Sequence, residues 1–254
     1  MDLYNHPQWK KDVLIYQNDI KKFAVDAFGF IPTWQQALFF ENIQVNGNRV
    51  SVKYGWGCDE AMMDAFAITI LHNLLFKIDS CTLILTPQKD IKHLVLRECI
   101  AGFIKKISQN ALVYLAKYIV GKAKSFCIKG REYFANVTIK REQSRNEPHS
   151  IAGTFSENYL LIVIDAARIN QSWLEVGCGS LVHHDNRCIF SQKMDTDISS
   201  EGFFYHTQHS EKWKSLTFSA AENPLYEWDE HGKLAIASDL KPCIVDGNFF
   251  KKSN

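Results

Sequence analysis

No run in this 254-residue chain approaches the roughly 18 consecutive apolar residues of a membrane span. The start, MDLYNHPQWKKD, lacks the apolar core of a secretory signal. Cysteines are scattered at Cys58, Cys81, Cys99, Cys127, Cys178, Cys188 and Cys243, an odd number without a Cys-x-x-Cys pair. That pattern argues against a zinc ribbon or a disulfide framework and predicts free thiols in a reducing cytoplasm. Low-complexity stretches, internal repeats and an obvious linker are also missing. What is present is an ordinary packed composition: 46% apolar and 22% charged residues exclude a disordered or fibrous chain.

The net charge of +1 conceals an uneven distribution. Residues 89–145 hold 13 Lys/Arg against 4 Asp/Glu, and the remainder holds 16 against 24. A basic middle in a near-neutral chain predicts a surface facing a polyanion, with double-stranded DNA as the expected partner. The alternative is a solvated basic face without a ligand. No aromatic interleaving or base-reading motif decides between them.

The pattern along the chain predicts strands alternating with helices. Residues 1–22 read as a loose or helical lead-in. PTWQQALFFENI (32–43) reads as a helix with Thr33 as N-cap. RVSVKY (49–54) alternates like a strand, and DEAMMDAFAITILHNLLF (59–76) is apolar nearly all round, like a buried helix. TLILTP (82–87) is a short strand. Residues 89–124 read as an amphipathic helix with its lysines outside. YFANVTIK (133–140), RCIFSQ (187–192) and SLTFSA (215–220) read as strands, and NYLLIVIDAAR (158–168) as a strand covered on both faces. The expectation is one α/β domain over 1–254, a three-layer sandwich with a predominantly parallel sheet flanked by helices, with RVSVKY and YLLIVI near the centre of the sheet. From about residue 225 to 254 a short C-terminal extension is expected.

Strand, glycine turn, buried helix and then an apolar strand ending in Asp165 is the order of a P-loop NTPase-like fold. There a helix N-terminus faces phosphates and the aspartate holds Mg²⁺. The loop needs G-x-x-x-x-G-K-[ST]. Here the segment is Tyr54-Gly55-Trp56-Gly57-Cys58-Asp59-Glu60-Ala61.

At these residues the sequence resembles the N-terminal ATPase domain of the large terminase subunits of tailed bacteriophages and prophages, the DNA-packaging motors. The resemblance runs from about residue 17 to 225. YQNDIKKFAVDAFGFIPTWQQALFFENI is similar to the family's lead-in, with Gln35 at its glutamine motif. RVSVKYGWGCDEA is similar to its strand and phosphate loop, and TLILTPQ to the strand that follows. HSIAGTFSENYLLIVIDAARI, NRCIFSQ with the coupling pair Ser191-Gln192, then EGFFYHT and WKSLTFSAAENP complete six pieces in the family's order.

The departures are as informative as the match. In the resemblance the phosphate-binding lysine falls at Glu60, the Mg²⁺-ligating hydroxyl at Ala61 and the general base at Ala166. Two unit charges about 4 Å apart repel by ~4 kcal/mol at an effective dielectric of about 20, so Glu60 opposes a triphosphate. Asp59 puts a Cβ where glycine lets backbone approach phosphate. Of the metal apparatus only Asp165 remains, and no group is left to stabilise the transferring phosphoryl. The resemblance also implies that the family's C-terminal nuclease domain is missing, leaving a severed motor half.

The first reading is therefore a terminase-like packaging remnant or accessory module of the bacterial host cytoplasm. It would bind DNA or packaging partners such as a portal or a small terminase subunit without hydrolysing ATP, and the sequence leaves open whether it forms an oligomer. The second is an active packaging ATPase that uses Mg-ATP with a displaced lysine, Lys53 or Lys193. A helicase relative is a third, disfavoured by the GFFY…W…ENP segment. Gly55 and Gly57 suit either a tight turn or residual anion binding, and Trp56 with Phe203, Phe204 and Tyr205 suits packing. His183-His184-Asp185 and the pair His206 and His209 suit solvated segments better than a metal, and Cys58 beside two acids suits an unreactive thiol.

Overall fold

A computed structural model of the chain describes residues 2–55, 58–87, 91–142, 148–153, 155–194, 200 and 202–219, with the backbone of 226–228 and 234–236. Trp56, Gly57 and Cys243, together with Lys89 and Arg145 of the basic stretch, lie outside the described residues. So does nearly all of the 225–254 extension.

The helices are α1 (Pro7–Tyr16), α2 (Ile20–Phe28), α3 (Trp34–Ile43), α4 (Asp59–Phe76), α5 (Lys92–Ile107), α6 (Gln171–Gly179) and α7 (Phe203–His209). The main strands are β1 (Arg49–Tyr54), β2 (Ser80–Thr86), β3 (Ile119–Lys122), β4 (Ser125–Ile128), β5 (Asn136–Arg141), β6 (Asn158–Ile164), β7 (Arg187–Lys193) and β8 (Lys214–Phe218). They form one sheet in the order β3-β4-β5-β2-β6-β7-β1-β8. From β5 to β8 every neighbouring pair is parallel, and β3 and β4 extend the β5 edge antiparallel. The architecture is thus α/β with a predominantly parallel sheet.

Side-chain alternation along β6 builds two cores. Leu160, Ile162 and Ile164 join Phe23, Phe66, Leu71 and Phe76 on one face. Leu161 and Val163 join Trp173, Leu174, Phe190 and Phe204 on the other. Both faces of the sheet are covered, which is why β2 and β6 read as unbroken apolar runs. Helix α4 is enclosed by α3, α5 and the sheet and buries 15 of its 18 residues. That enclosure explains its lack of a polar face.

Local chemistry sets several boundaries. Thr33 caps α3 in a capping box: its side chain accepts from the Gln36 N–H, and the Gln36 side chain accepts from the Thr33 N–H. Gly29 ends α2 in the left-handed conformation that glycine adopts without strain. The lead-in is not loose, because Trp9 and Tyr16 are buried and the Trp9 indole donates to Leu75 O at 2.8 Å.

Two expectations are corrected. β1 is seventh of eight strands rather than near the centre, with only β8 outside it. Its burial does not alternate: Val50, Ser51, Val52 and Tyr54 are buried and only Arg49 and Lys53 are half-buried, because β7 and β8 pair with it on both sides. Residues 89–124 are not one helix: α5 stops at Ile107, a 3-10 turn spans Val113–Tyr118, and β3 follows. The β-branched and aromatic residues there (Val113, Tyr114, Tyr118, Ile119 and Val120) disfavour helix, and pairing with β4 rewards extension.

Candidate functional site

Parallel α/β sheets present loops at the carboxyl ends of their strands, where ligands bind. Here those ends bring together Gly55 after β1, Asp165 after β6 and Lys193 at the end of β7. Gly55 N–H donates to Phe218 O at 2.9 Å, and Cys58 N–H donates to Gly55 O at 3.3 Å. Asp59 and Glu60 occupy the first turn of α4, where carboxylates suit the helix dipole.

The glutamine motif lies against this turn. Gln36 Nε2 donates to Ala61 O at 2.7 Å, and buried Gln35 donates to Ser219 O at 3.5 Å. The Cys58 Sγ is 3.9 Å from Gln35 Oε1. Burial, reinforced by Asp59, pushes the Cys58 thiol up to about 11, so it is no nucleophile at neutral pH. The pair Ser191-Gln192 holds the end of β6 and the turn after it: Ser191 Oγ donates to Val163 O at 3.2 Å, and Gln192 Oε1 accepts from the Ala167 N–H at 2.9 Å.

Asp165 sits at the centre with its side chain 1% exposed and φ at +53°, a left-handed conformation uncommon for a side-chain-bearing residue. Both carboxylate oxygens are held by the Lys92 ammonium, at 2.8 and 2.7 Å. The same Nζ lies 3.9 Å from Asp59 Oδ1, while Lys193 Nζ lies 2.8 Å from Asp59 Oδ2. A line of alternating charge, Lys193–Asp59–Lys92–Asp165, therefore runs across the strand ends.

Lys92 is the residue that sequence reasoning missed, since the lysines of this region were expected outside. It is the first residue of α5, a helix with no acid in its first turn and no side-chain cap at Ile91. A cation is the wrong charge for a helix N-terminus, and that mismatch was the available signal. Glu60, at the family's lysine position, is exposed, and Ala61 and Ala166 are buried without polar side-chain atoms. Lys193, one displaced-lysine candidate, reaches the line of charge. The other, Lys53, makes no ion pair with Asp59 or Asp165 among the described residues.

These side chains do not fit Mg²⁺. The Asp165 carboxylate, which the resemblance assigns to the metal, already binds an ammonium through both oxygens, and the positions where the resemblance expects a hydroxyl and a base, Ala61 and Ala166, carry no polar side-chain atoms. No group of three or more His, Cys, Asp or Glu that could hold a metal occurs among the described residues. His184 pairs with Asp185 in a loop with its ring 92% exposed, and His209 Nδ1 is bonded to Tyr205 O within α7. The six described cysteines are free thiols.

Solved structures share the fold. The large terminase ATPase domain of Thermus phage P74-26 superposes with a TM-score of 0.56 over 78% of this chain and 84% of its own, at 13% identity. The fold is that of a phage large-terminase ATPase domain. The large terminase of bacteriophage HK97 agrees at a TM-score of 0.54 and 8% identity, covering 85% of this chain and 45% of that one. In sequence, the terminase-like chain is 25% identical over 203 residues to the "Probable terminase, large subunit" of Enterobacteria phage P7. That alignment takes in 80% of this chain and 40% of the relative, so the chain spans two fifths of the length of the relative it matches. No protein-family model matches. No helix of the described residues is long and apolar enough to cross a membrane.

Proposed function

We propose that this terminase-like domain is a packaging-related module that binds double-stranded DNA and does not hydrolyse ATP. One observation carries the reading: Asp165, the residue the resemblance assigns to Mg²⁺, has both oxygens on the Lys92 ammonium. The alanines at 61 and 166 and the exposed Glu60 support it, because each lacks a different stabilisation of a transferring phosphoryl group. Portal or small-terminase partners, an oligomeric state and the bacterial cytoplasm remain part of the same proposal.

Phosphate release with and without DNA, beside calorimetry with a non-hydrolysable ATP analogue, tests the catalytic half. No turnover above background and no analogue binding are expected. Turnover that disappears in Asp165→Asn would overturn the proposal in favour of the second reading. That reading has its own observation, the Lys193 amine beside the start of α4.

DNA binding follows from the basic stretch after one correction. Lys92 is engaged at Asp165, and Arg131 pairs with Asp2 and Asp79 at 2.8 Å each. Among the described residues of the stretch the exposed cations are Lys105 and Lys106 at the end of α5, Lys117, Lys122, Lys124 and Lys129 around the β3–β4 hairpin, and Arg141. Sequence-independent duplex binding that weakens steeply with salt is expected. Replacing Lys122 and Lys124 by alanine should lower the log–log salt slope by about 2 if both meet phosphate. Binding titrations over a salt series measure it, and salt-insensitive binding would identify the basic stretch as solvated surface only.

A further inference from the structure

We propose that Lys92 is the built-in cation of this site: its ammonium occupies the Asp165 carboxylate beside Asp59, and withdrawing that charge frees the two carboxylates to take a divalent cation. The inference deepens the non-hydrolysing reading by naming what fills the site instead of a metal.

Four observations carry it. Lys92 Nζ contacts both oxygens of Asp165, a carboxylate only 1% exposed, at hydrogen-bonding distance. A charge so buried needs a counter-charge, because the protein interior replaces its lost hydration poorly. The buried Asp59 Oδ1 has no hydrogen-bond partner, and its neighbour is the same ammonium, 3.9 Å away. One cation thus lies between two carboxylates carried on different elements, the start of α4 and the turn after β6. Lys92 also opens α5, where the helix dipole disfavours a positive charge and no side chain caps the end. The two carboxylates account for its being there.

Charge balance among the described residues then disfavours a metal in the natural chain. There two ammoniums, Lys92 and Lys193, face the two carboxylates of Asp165 and Asp59. A divalent cation added to them would bring four positive charges against two negative ones. Without the Lys92 charge, two carboxylates and one lysine remain, and oxygen ligands of this kind suit Mg²⁺ or Mn²⁺.

The test uses the full chain and Mn²⁺ as probe, followed by paramagnetic resonance and by the Mn²⁺-dependent shift in Tm. The natural protein and Lys92→Arg, which keeps the charge, are expected to show no Asp165-dependent Mn²⁺ binding and no shift. Lys92→Gln should bind Mn²⁺ and gain Tm with it, and both effects should be lost in Lys92→Gln/Asp165→Asn. Should Lys92→Gln not fold in buffer alone, refolding with Mn²⁺ is the readout, and recovery of the folded state supports the inference. Two results overturn it: Asp165-dependent Mn²⁺ binding by the natural chain, or a Lys92→Gln protein that neither binds Mn²⁺ nor is rescued by it. ATP turnover by the natural chain instead sinks the non-hydrolysing reading. A metal-blind Lys92→Gln beside a turnover-free natural protein sinks only the inference drawn here.

Discussion

Replacing Lys92 by methionine is expected to destabilise the domain by about 3–5 kcal/mol, the range found when one partner of a buried ion pair is removed. Methionine keeps most of the stem's volume and removes only the charge and its donors. The loss therefore falls on Asp165, whose buried carboxylate loses the Lys92 ammonium in a turn already held at positive φ. Asp59 adds a second anion at the same place. Much of the penalty is the isolated charge rather than the lost contact, so Lys92→Met/Asp165→Asn should recover most of it. Urea unfolding of both single variants and the double variant closes the cycle. Additive losses would mean that the two residues are not coupled, and the line of charge would lose its central link.

Acid should weaken the fold through His72, inside α4. The ring is fully buried, and Nε2–H donates to Tyr16 O at 2.6 Å. Nδ1 has no partner, so a second proton would place an N–H donor in the core without an acceptor. The Phe23 and Phe76 rings lie 5.7 and 6.0 Å away, centre to centre. Burial, with the charges of Arg187 and Lys77, pushes His72 from 6.5 down to about 3. Because the folded value is lower, the unfolded chain takes up the proton first as pH falls. The stability contributed by neutral His72 is complete above pH 6.5 and is lost progressively toward pH 3. At about 1.4 kcal/mol per pH unit, roughly 2–3 kcal/mol should disappear between pH 7.5 and 4.5. His72→Gln removes the titration, so the native-minus-variant stability difference isolates it from the carboxylates that titrate lower. Parallel stability curves for the two proteins would exclude His72 as the cause.

Much of the architecture is written in one-dimensional patterns. The span of α4, the start of α3 at Thr33 and the strands Arg49–Tyr54 and Asn158–Ile164 follow from apolar periodicity and capping chemistry, which act over a few residues. The replacements Glu60, Ala61 and Ala166 are also local facts, legible as soon as the glycine turn and the aspartate-ended strand are recognised. Strand position is different. β1 and β6 both read as good strands, but their places in the sheet depend on which neighbours cover them, and neither strand encodes that alone. β3 and β4 were missed for the same reason: four-residue strands are too short for periodicity, and their pairing with β5 supplies the stability.

The sequence by itself determined the α/β class, the central buried helix, the basic excess over residues 89–145 and the residues Glu60, Ala61 and Ala166 at the positions where the resemblance expects lysine, hydroxyl and base. Composition and short-range pattern carry all of these. Tertiary structure alone decided what the remaining aspartate touches. Lys92 and Asp165 are 73 positions apart, and only the parallel sheet, by setting the start of α5 against the strand ends, brings that ammonium to the buried carboxylate. An ion pair between distant segments has no spacing to read, because its energy arises from burial and proximity that exist only in the folded chain.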